Sequence, residues 1–489
     1  MTSTADPPPA SPELPEAPLE LVVRDLSLDG DGIAVTLEDS AMAPLPVLVP
    51  GALPGERVRV TITGQGQRFR HGMLEAVIVA APDRRQPPCP VAGNCGGCSL
   101  QHWADGSQAH WKEQQLRRTL QRVGGLAPTV RPLLAAEATL AYRNRAILPL
   151  RHRSGRIEAG FYRRGSHDLV AVDRCPVLDD RIDRLIAPLC DDLSSAGWPI
   201  YDEATGQGVL RHLVLRVGHH SGDLLVGLIA ASDDLPGLEE LAAAWMTRWP
   251  ALVGVVLNLQ PRPTNVLFGA KDRLVVGRPW LLDRFGGCTV PVAIDTFHQV
   301  HTPQAERLLP LLREALDLRS GDRLLDAYCG SASLSLPLLA PGMDLVGFER
   351  HRTSVELAEL AAQLNGLERV KILVGAVEKL LPEWLPDSRA LLLDPPRKGL
   401  ETAVRAAILA DPPERVAYVS CNPATLARDL AQLTSDGQLR LEWVQPLDFF
   451  PQTTHCEAVA CLVRTSDQRG SVPPASAAGD PAPDPPARR

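Results

Sequence analysis

From Gly321 onward the chain alternates short apolar runs with helical stretches, and this alternation narrows the fold more than any other feature. The runs are Arg323 to Tyr328, Asp344 to Glu349, Val370 to Val374, Ala390 to Asp394 and Val416 to Ser420. Buried strands separated by helices call for a parallel, doubly wound sheet. Ligands of such sheets sit beyond the carboxyl ends of the strands, so the residue following each run carries functional weight.

Those residues form a series. The first strand runs into Asp326-Ala327-Tyr328-Cys329-Gly330-Ser331-Ala332, a turn of small residues that lets backbone approach a ligand. The second ends on Glu349, an acid suited to a ribose diol. No GxGxxG is present, which disfavours a dinucleotide. Asp394-Pro395-Pro396-Arg397 follows the fourth strand as a rigid polar rim. The fifth leads into Ser420-Cys421-Asn422-Pro423, with a helix expected from about Thr425. A thiol at a strand end close to a helix N-terminus is expected to gain thiolate character.

Upstream the pattern differs, and 489 residues exceed what one core organises. Between Leu19 and Ala81 short alternating segments broken by Asp29-Gly30-Asp31-Gly32 and Pro54-Gly55 read as a small all-β barrel. Six arginines against two acids make Arg57 to Arg85 locally basic. A second basic interval holds Arg143, Arg145, Arg151, Arg153, Arg156, Arg163 and Arg164 with the single acid Glu158, the stronger candidate for phosphate contact. A formal net charge of -8 argues against indiscriminate polyanion binding, so any such surface is local. The middle of the chain, with strands near Leu210 to Val217, Leu224 to Ala230 and Val253 to Leu259, reads as α+β. Residues 1–18 and 465–489, rich in Pro and Ala, are expected to be disordered. Neither a signal peptide nor a membrane span is expected, which predicts a cytoplasmic protein.

Three ordered runs, Asp394-Pro-Pro-Arg-Lys-Gly399, Ser420-Cys-Asn-Pro-Ala-Thr-Leu-Ala-Arg-Asp429 and Asp448-Phe-Phe-Pro-Gln-Thr-Thr-His-Cys-Glu457, resemble the RNA 5-methyluridine methyltransferases. The resemblance extends over Leu19 to Arg464. It implies a multidomain chain: a TRAM-like barrel at 19–82, a central α+β RNA-binding domain at 83–300, and a class I methyltransferase α/β domain at 301–464. It also implies S-adenosyl-L-methionine as methyl donor. Cys421 would add to carbon 6 of uracil, making carbon 5 nucleophilic, and Glu457 would remove the carbon 5 proton. Gln299, Tyr328, Glu349 and Asp394 would hold the cofactor or the base beside it. The chain departs from the family pattern at Ala332 (usually Gly), His301 (usually Asn) and Ala376 (commonly polar), which predicts weaker cofactor binding.

Cys89, Cys95 and Cys98, in a glycine-rich loop, read as three ligands of a metal site, zinc or iron–sulfur, in need of a fourth. The segment Gly160 to His167 leading to Cys175-Pro176 resembles the family branch with a [4Fe-4S] cluster, which makes Cys175 the fourth ligand by resemblance. The remaining cysteines other than Cys421 read as small buried residues. The expected partner is structured RNA, ribosomal RNA ahead of tRNA, with no DNA and no membrane, and the chain is expected to be monomeric. A flipped or single-stranded uridine is required, because carbon 6 is unreachable in a stacked helix. A non-catalytic RNA-binding or folding protein is the alternative. A cytosine-5 methyltransferase ranks below both, since Cys421 lies between Ser420 and Asn422 rather than after proline.

Overall fold

The computed structural model describes residues 17–36, 45–386 and 388–465. The disorder expected of residues 1–16 and 466–489 lies outside the described residues. Among those described, no helix is long and apolar enough to cross a membrane.

The N-terminal segment closes into a five-stranded barrel from Leu19–Leu26, Asp31–Thr36, Val47–Pro50, Arg57–Gln65 and Arg70–Val79. Alternation along Arg57–Gln65 turns Val58, Val60 and Ile62 into the barrel core and leaves Arg57 and Arg59 outside. The basic character read from this segment is partly spent internally. Arg84 pairs with the fully buried Glu56, Arg85 with Asp105 and Arg59 with Glu20.

The middle of the chain forms a seven-stranded sheet in which Arg145–Arg153 is flanked by Arg156–Tyr162 and Leu210–Val217, with Leu224–Ala230, Leu252–Leu259 and Lys271–Gly277 beyond. Leu210–Val217 and Leu224–Ala230 are buried along their whole length, as interior strands covered on both faces must be.

The C-terminal sheet has eight strands. Val370–Val374, Asp344–Glu349, Arg323–Ala327, Ala390–Leu393 and Arg415–Ser420 are neighbours in that order and all parallel. The wholly parallel expectation holds only for these five. Glu457–Arg464 runs antiparallel to Arg415–Ser420 and pairs with Leu439–Leu447. Nine residues, 448–456, separate these last two strands and are too few for a helical crossover, so the pair returns as a hairpin. The outermost strand, Thr129–Val130, comes from far upstream in the chain. The helix Asp105–Gly124, which precedes it, packs Leu116 and Leu120 into the same core as Leu426 and Leu430 of the helix Pro423–Leu433.

Candidate active site

The turn after Arg323–Ala327 is shaped by backbone in the left-handed region at Tyr328 (φ 68°), Gly330 (φ 54°) and Ala332 (φ 57°). Glycine adopts this region freely, whereas a Cβ there costs roughly 1–2 kcal/mol. Ala332 therefore keeps a turn that glycine would enter without strain. The turn is tied to the neighbouring strand: Gly330 N–H donates to Glu349 Oε2 (3.0 Å), and His351 N–H donates to Oε1 of the same carboxylate (2.7 Å). Glu349 is thus oriented by backbone while its remaining lone pairs stay free.

Gln299, Tyr328, Glu349, Asp394, Cys421 and Glu457 line a single cavity of about 830 Å³, within the range of small-molecule sites. Its other walls include Arg143, Arg145, Phe297 and Arg397. A recess beside it is lined by Phe297, Gln299, Tyr328 and Asp394 together with Asp326 and the Cys329–Ser331 turn. Asp326 Oδ2 and the Tyr328 hydroxyl are buried without hydrogen-bond partners. Native interiors satisfy such groups, so these two mark a place for a polar ligand.

The carboxyl groups here share an unusual environment. Burial pushes Asp394 up to about 7 and Asp326 up to about 8, the latter with added repulsion from Asp394 and Glu349. Glu457 is raised well above the usual carboxylate range by burial and by Asp394, with Arg397 opposing. Cys421 is pushed up to about 11 by burial, then by Glu457 and Asp394, again against Arg397.

That last value corrects the thiolate expectation. The helix does begin just after Cys421, at Pro423, but its first donors are already used: Pro423 has no N–H, and Asn422 Oδ1 accepts from Ala424 N–H (3.0 Å). Loss of water and two nearby carboxyl groups outweigh what remains of the helix field.

Two networks fix the loops that carry these groups. Asn422 Nδ2 and Thr425 Oγ1 both donate to Arg397 O (3.0 and 3.2 Å), binding the Asp394–Gly399 loop to the helix that follows Cys421. Buried Asp429 accepts from Leu400 N–H and from the Tyr418 hydroxyl (2.8 and 2.7 Å) and pairs with Arg405. The loop leading to Glu457 is held from upstream. Lys112 Nζ, fully buried, pairs with Asp448 (2.7 Å) and donates to Phe450 O (3.0 Å), while the Tyr142 hydroxyl donates to Pro451 O (3.2 Å).

The positions that depart from the family pattern resolve differently. His301 is buried, stacks on Tyr142 with ring centroids 4.6 Å apart, and caps the helix Thr302–Glu306 through Nδ1. Its role is structural. Ala376 does line the cavity, at the N-cap position of the helix Val377–Trp384, which has no side-chain cap.

Sequence reasoning passed over Asp326, Lys112 and the cavity role of Arg143 and Arg145. An acid inside the apolar run Leu324 to Ala327 was an available signal for Asp326; Lys112 offered none, because its partner lies more than three hundred positions away. Of the arginines from 143 to 164, Arg156 and Arg164 are paired with Asp191 and Asp31, while Arg151, Arg153 and Arg163 are exposed and without ion-pair partners among the described residues. The phosphate-contact candidates narrow accordingly.

Cys89, Cys95, Cys98 and Cys175 lie away from this cavity and close to one another. Cys98 is pushed up to about 12, chiefly by burial and further by the other three thiols, and Cys175 is raised by burial and by Cys89 and Cys95. Among the described residues, however, no three or more His, Cys, Asp or Glu side chains stand in a metal-holding arrangement. Three of the four thiols have local partners instead: Cys95 accepts from Gly97 N–H (3.4 Å), Cys98 bonds with Gln101, and Cys175 with the amides of Val177 and Leu178. The expected ligand set is gathered but not formed.

Residues 386–465 match the family model described as tRNA (uracil-5-)-methyltransferase. An uncharacterized RNA methyltransferase of Nostoc sp. is 42% identical over 449 residues, covering 91% of this chain and 96% of the relative. One from Parasynechococcus marenigrum is 43% identical, covering 92% and 96%. Among solved structures, the Pyrococcus abyssi tRNA (uracil-54, C5)-methyltransferase in complex with S-adenosyl-L-homocysteine superimposes with a TM-score of 0.72 at 24% identity, covering 91% of this chain and all of that one, which shows a shared fold.

Proposed function

Since the chain belongs to the RNA (uracil-5-)-methyltransferase family and is an RNA methyltransferase, we propose that it methylates carbon 5 of a uridine through a covalent intermediate on Cys421. The observation that carries this reading is the convergence of Cys421, Glu457 and Asp394 with the free carboxylate positions of Glu349 in one cavity.

S-adenosyl-L-methionine would supply the methyl group as a sulfonium substituent. The residues present fit it: Glu349 is oriented for a ribose diol, and the partnerless Asp326 Oδ2 and Tyr328 hydroxyl, beside Gln299, offer polar contacts to an amino acid moiety. Ala376 leaves the adenine with one polar contact fewer.

Carbon 5 of uracil is a weak nucleophile. The Cys421 thiolate adds to carbon 6, its electron pair forming the C–S bond while the ring π pair moves toward the carbon 4 carbonyl as an enolate. Carbon 5 then takes the methyl group. Glu457 accepts the carbon 5 proton, the C5–C6 double bond re-forms, and the C–S pair returns to Cys421. Burial makes Glu457 a stronger base than a solvated carboxylate, matching the task. In the free protein the same burial raises Glu457 and holds the Cys421 thiol, at about 11, protonated at neutral pH, so ionisation of the thiol must accompany binding. Asp394, poised at about 7 beside both, is the group able to hold an exchanged proton.

The substrate we favour is a uridine of ribosomal RNA, with a tRNA uridine as the alternative consistent with the family model's description. The barrel, read as TRAM-like, and the unpaired arginines Arg151, Arg153 and Arg163 would meet the phosphates. We read the four gathered thiols as [4Fe-4S] ligands on the resemblance of Gly160 to His167 and Cys175-Pro176 to the iron–sulfur branch of the family. Iron near four per purified chain supports that reading; stoichiometric zinc without iron overturns it.

Mechanism and substrate are tested together. Ribosomal RNA and tRNA transcribed with 5-fluorouridine carry fluorine where Glu457 would remove a proton, so the methylated adduct cannot resolve and should stay on the protein in a denaturing gel. Cys421→Ala should give no adduct, and Glu457→Gln should accumulate one on ordinary uridine. Full turnover by Cys421→Ala would sink the mechanism.

A further inference from the structure

Between the strands Leu252–Leu259 and Lys271–Gly277 the chain makes an irregular loop, Pro261 to Gly269, held by three buried polar side chains. Gln260 Nε2 donates to Val266 O and Phe268 O (3.0 and 3.1 Å). Asn258 exchanges bonds with Gly269, its Nδ2 donating to Gly269 O (3.1 Å) and its Oδ1 accepting from Gly269 N–H (2.7 Å). From the strand Leu210–Val217, Arg211 NH1 donates to Gln260 O and Arg262 O (3.0 and 2.9 Å), with its guanidinium over the Tyr201 ring and paired to Glu203. At Gly269 a Cβ would stand 1.7 Å from Leu259 O, so only glycine closes the loop this tightly.

This rigid backbone displays two aliphatic side chains to water: Val266 is 59% and Leu267 40% exposed. The next residue, Phe268, turns inward onto the core around Val214 and Leu225, and the Arg145 guanidinium lies 5.6 Å from its ring centroid. Arg145 is a wall of the catalytic cavity, so this contact sets the loop beside that wall. Arg262 on the same loop is exposed and has no ion-pair partner among the described residues. An apolar edge fixed in place beside a cavity wall, with the free cation Arg262 on the same loop, suits a polyanion whose interior is a stack of apolar faces.

We propose that Val266 and Leu267 form a wedge that packs against the bases flanking the target uridine, filling the gap left when that uridine turns into the cavity. The inference rests on the uridine reading above. Unstacking costs a few kcal/mol, and an apolar side chain in the vacated space offsets part of it. Arg262, exposed on the same loop, holds a neighbouring phosphate.

The test compares wild type with Val266→Ser/Leu267→Ser on two forms of one RNA. Unmodified ribosomal RNA and tRNA transcripts are first screened for methyl incorporation by the wild type; the methylated site is then copied as a short single-stranded oligonucleotide. The double variant should lose roughly 10- to 100-fold in kcat/KM on the folded transcript and stay within about twofold of wild type on the oligonucleotide, where nothing must be unstacked. Val266→Ile/Leu267→Met should restore the folded substrate, which a merely misfolded loop would not allow. Equal losses on both RNAs, or no loss on either, overturn the wedge. If the wild type methylates neither transcript, it is the uridine reading that fails, and the wedge falls with it.

Discussion

Alkylation of Cys421 across pH tests the electrostatics of the site directly. Its thiol is pushed from an ordinary 9.0 to about 11, with burial the largest cause and the Glu457 and Asp394 carboxyls next. Only the thiolate reacts with iodoacetamide, so its fraction sets the rate. Two pH units correspond to roughly a hundredfold less thiolate: at pH 8 about one thiol in a thousand is ionised, against about one in ten for an unshifted group. Peptide-resolved mass spectrometry of protein pulsed with iodoacetamide between pH 7 and 11 should place the midpoint for Cys421 near 11, and the urea-unfolded chain should react near the ordinary value. Glu457→Gln removes the acidic neighbour that raises the thiol most and leaves burial in place, so the Cys421 midpoint should fall, by about one unit or less. A wild-type midpoint at or below the ordinary value would refute the argument, as would an upward shift in Glu457→Gln.

Three further outcomes follow from other parts of the structure. Asp326 and Asp394, raised to about 8 and about 7 from an ordinary 3.8, hold protons in the folded state that the unfolded chain releases above roughly pH 4. Stability should therefore fall as pH rises from about 4 to 7, by up to about 1.4 kcal/mol per pH unit for each group; urea unfolding at pH 5 and 7 should show a shallower fall for Asp326→Asn, and an unchanged slope would count against the assignment. Lys112→Met leaves the Asp448 carboxylate buried without its partner and should cost about 3–5 kcal/mol in urea unfolding, most of it regained by adding Asp448→Leu; a double variant no better than the single one would contradict this. Ala376→Asn supplies the missing cap of the helix Val377–Trp384 and a polar group on the cavity wall. It should add about 1 kcal/mol of stability and tighten S-adenosyl-L-homocysteine binding in calorimetry, and an unchanged melting temperature would rule the capping out.

How much of this was readable in the sequence depends on the range of the forces involved. The five parallel strands were legible because a buried strand between helices is a local pattern of apolar runs. Asp394, Cys421 and Glu349 could be singled out as residues placed just after, or at the end of, those runs. The antiparallel return of Glu457–Arg464 was not, since a strand's direction is set by the length of its connection and by its neighbour, and alternation says nothing of either. Leu210–Val217 and Leu224–Ala230 stood out as strands, but their full burial depends on what covers each face.

What the sequence determined alone is the order of chemical groups along the chain: an acid, a rigid Pro-Pro rim, a thiol near a helix start and a second acid in a motif ending the fold. Only the tertiary structure decided their state. Assembly in one cavity turned a thiol expected to ionise readily into one held at about 11 and raised the buried Glu457 carboxyl well above its usual range. It also brought Lys112 from a distant helix to hold the loop before that base. Desolvation and charge coupling act through space, and no spacing of residues along a chain records them.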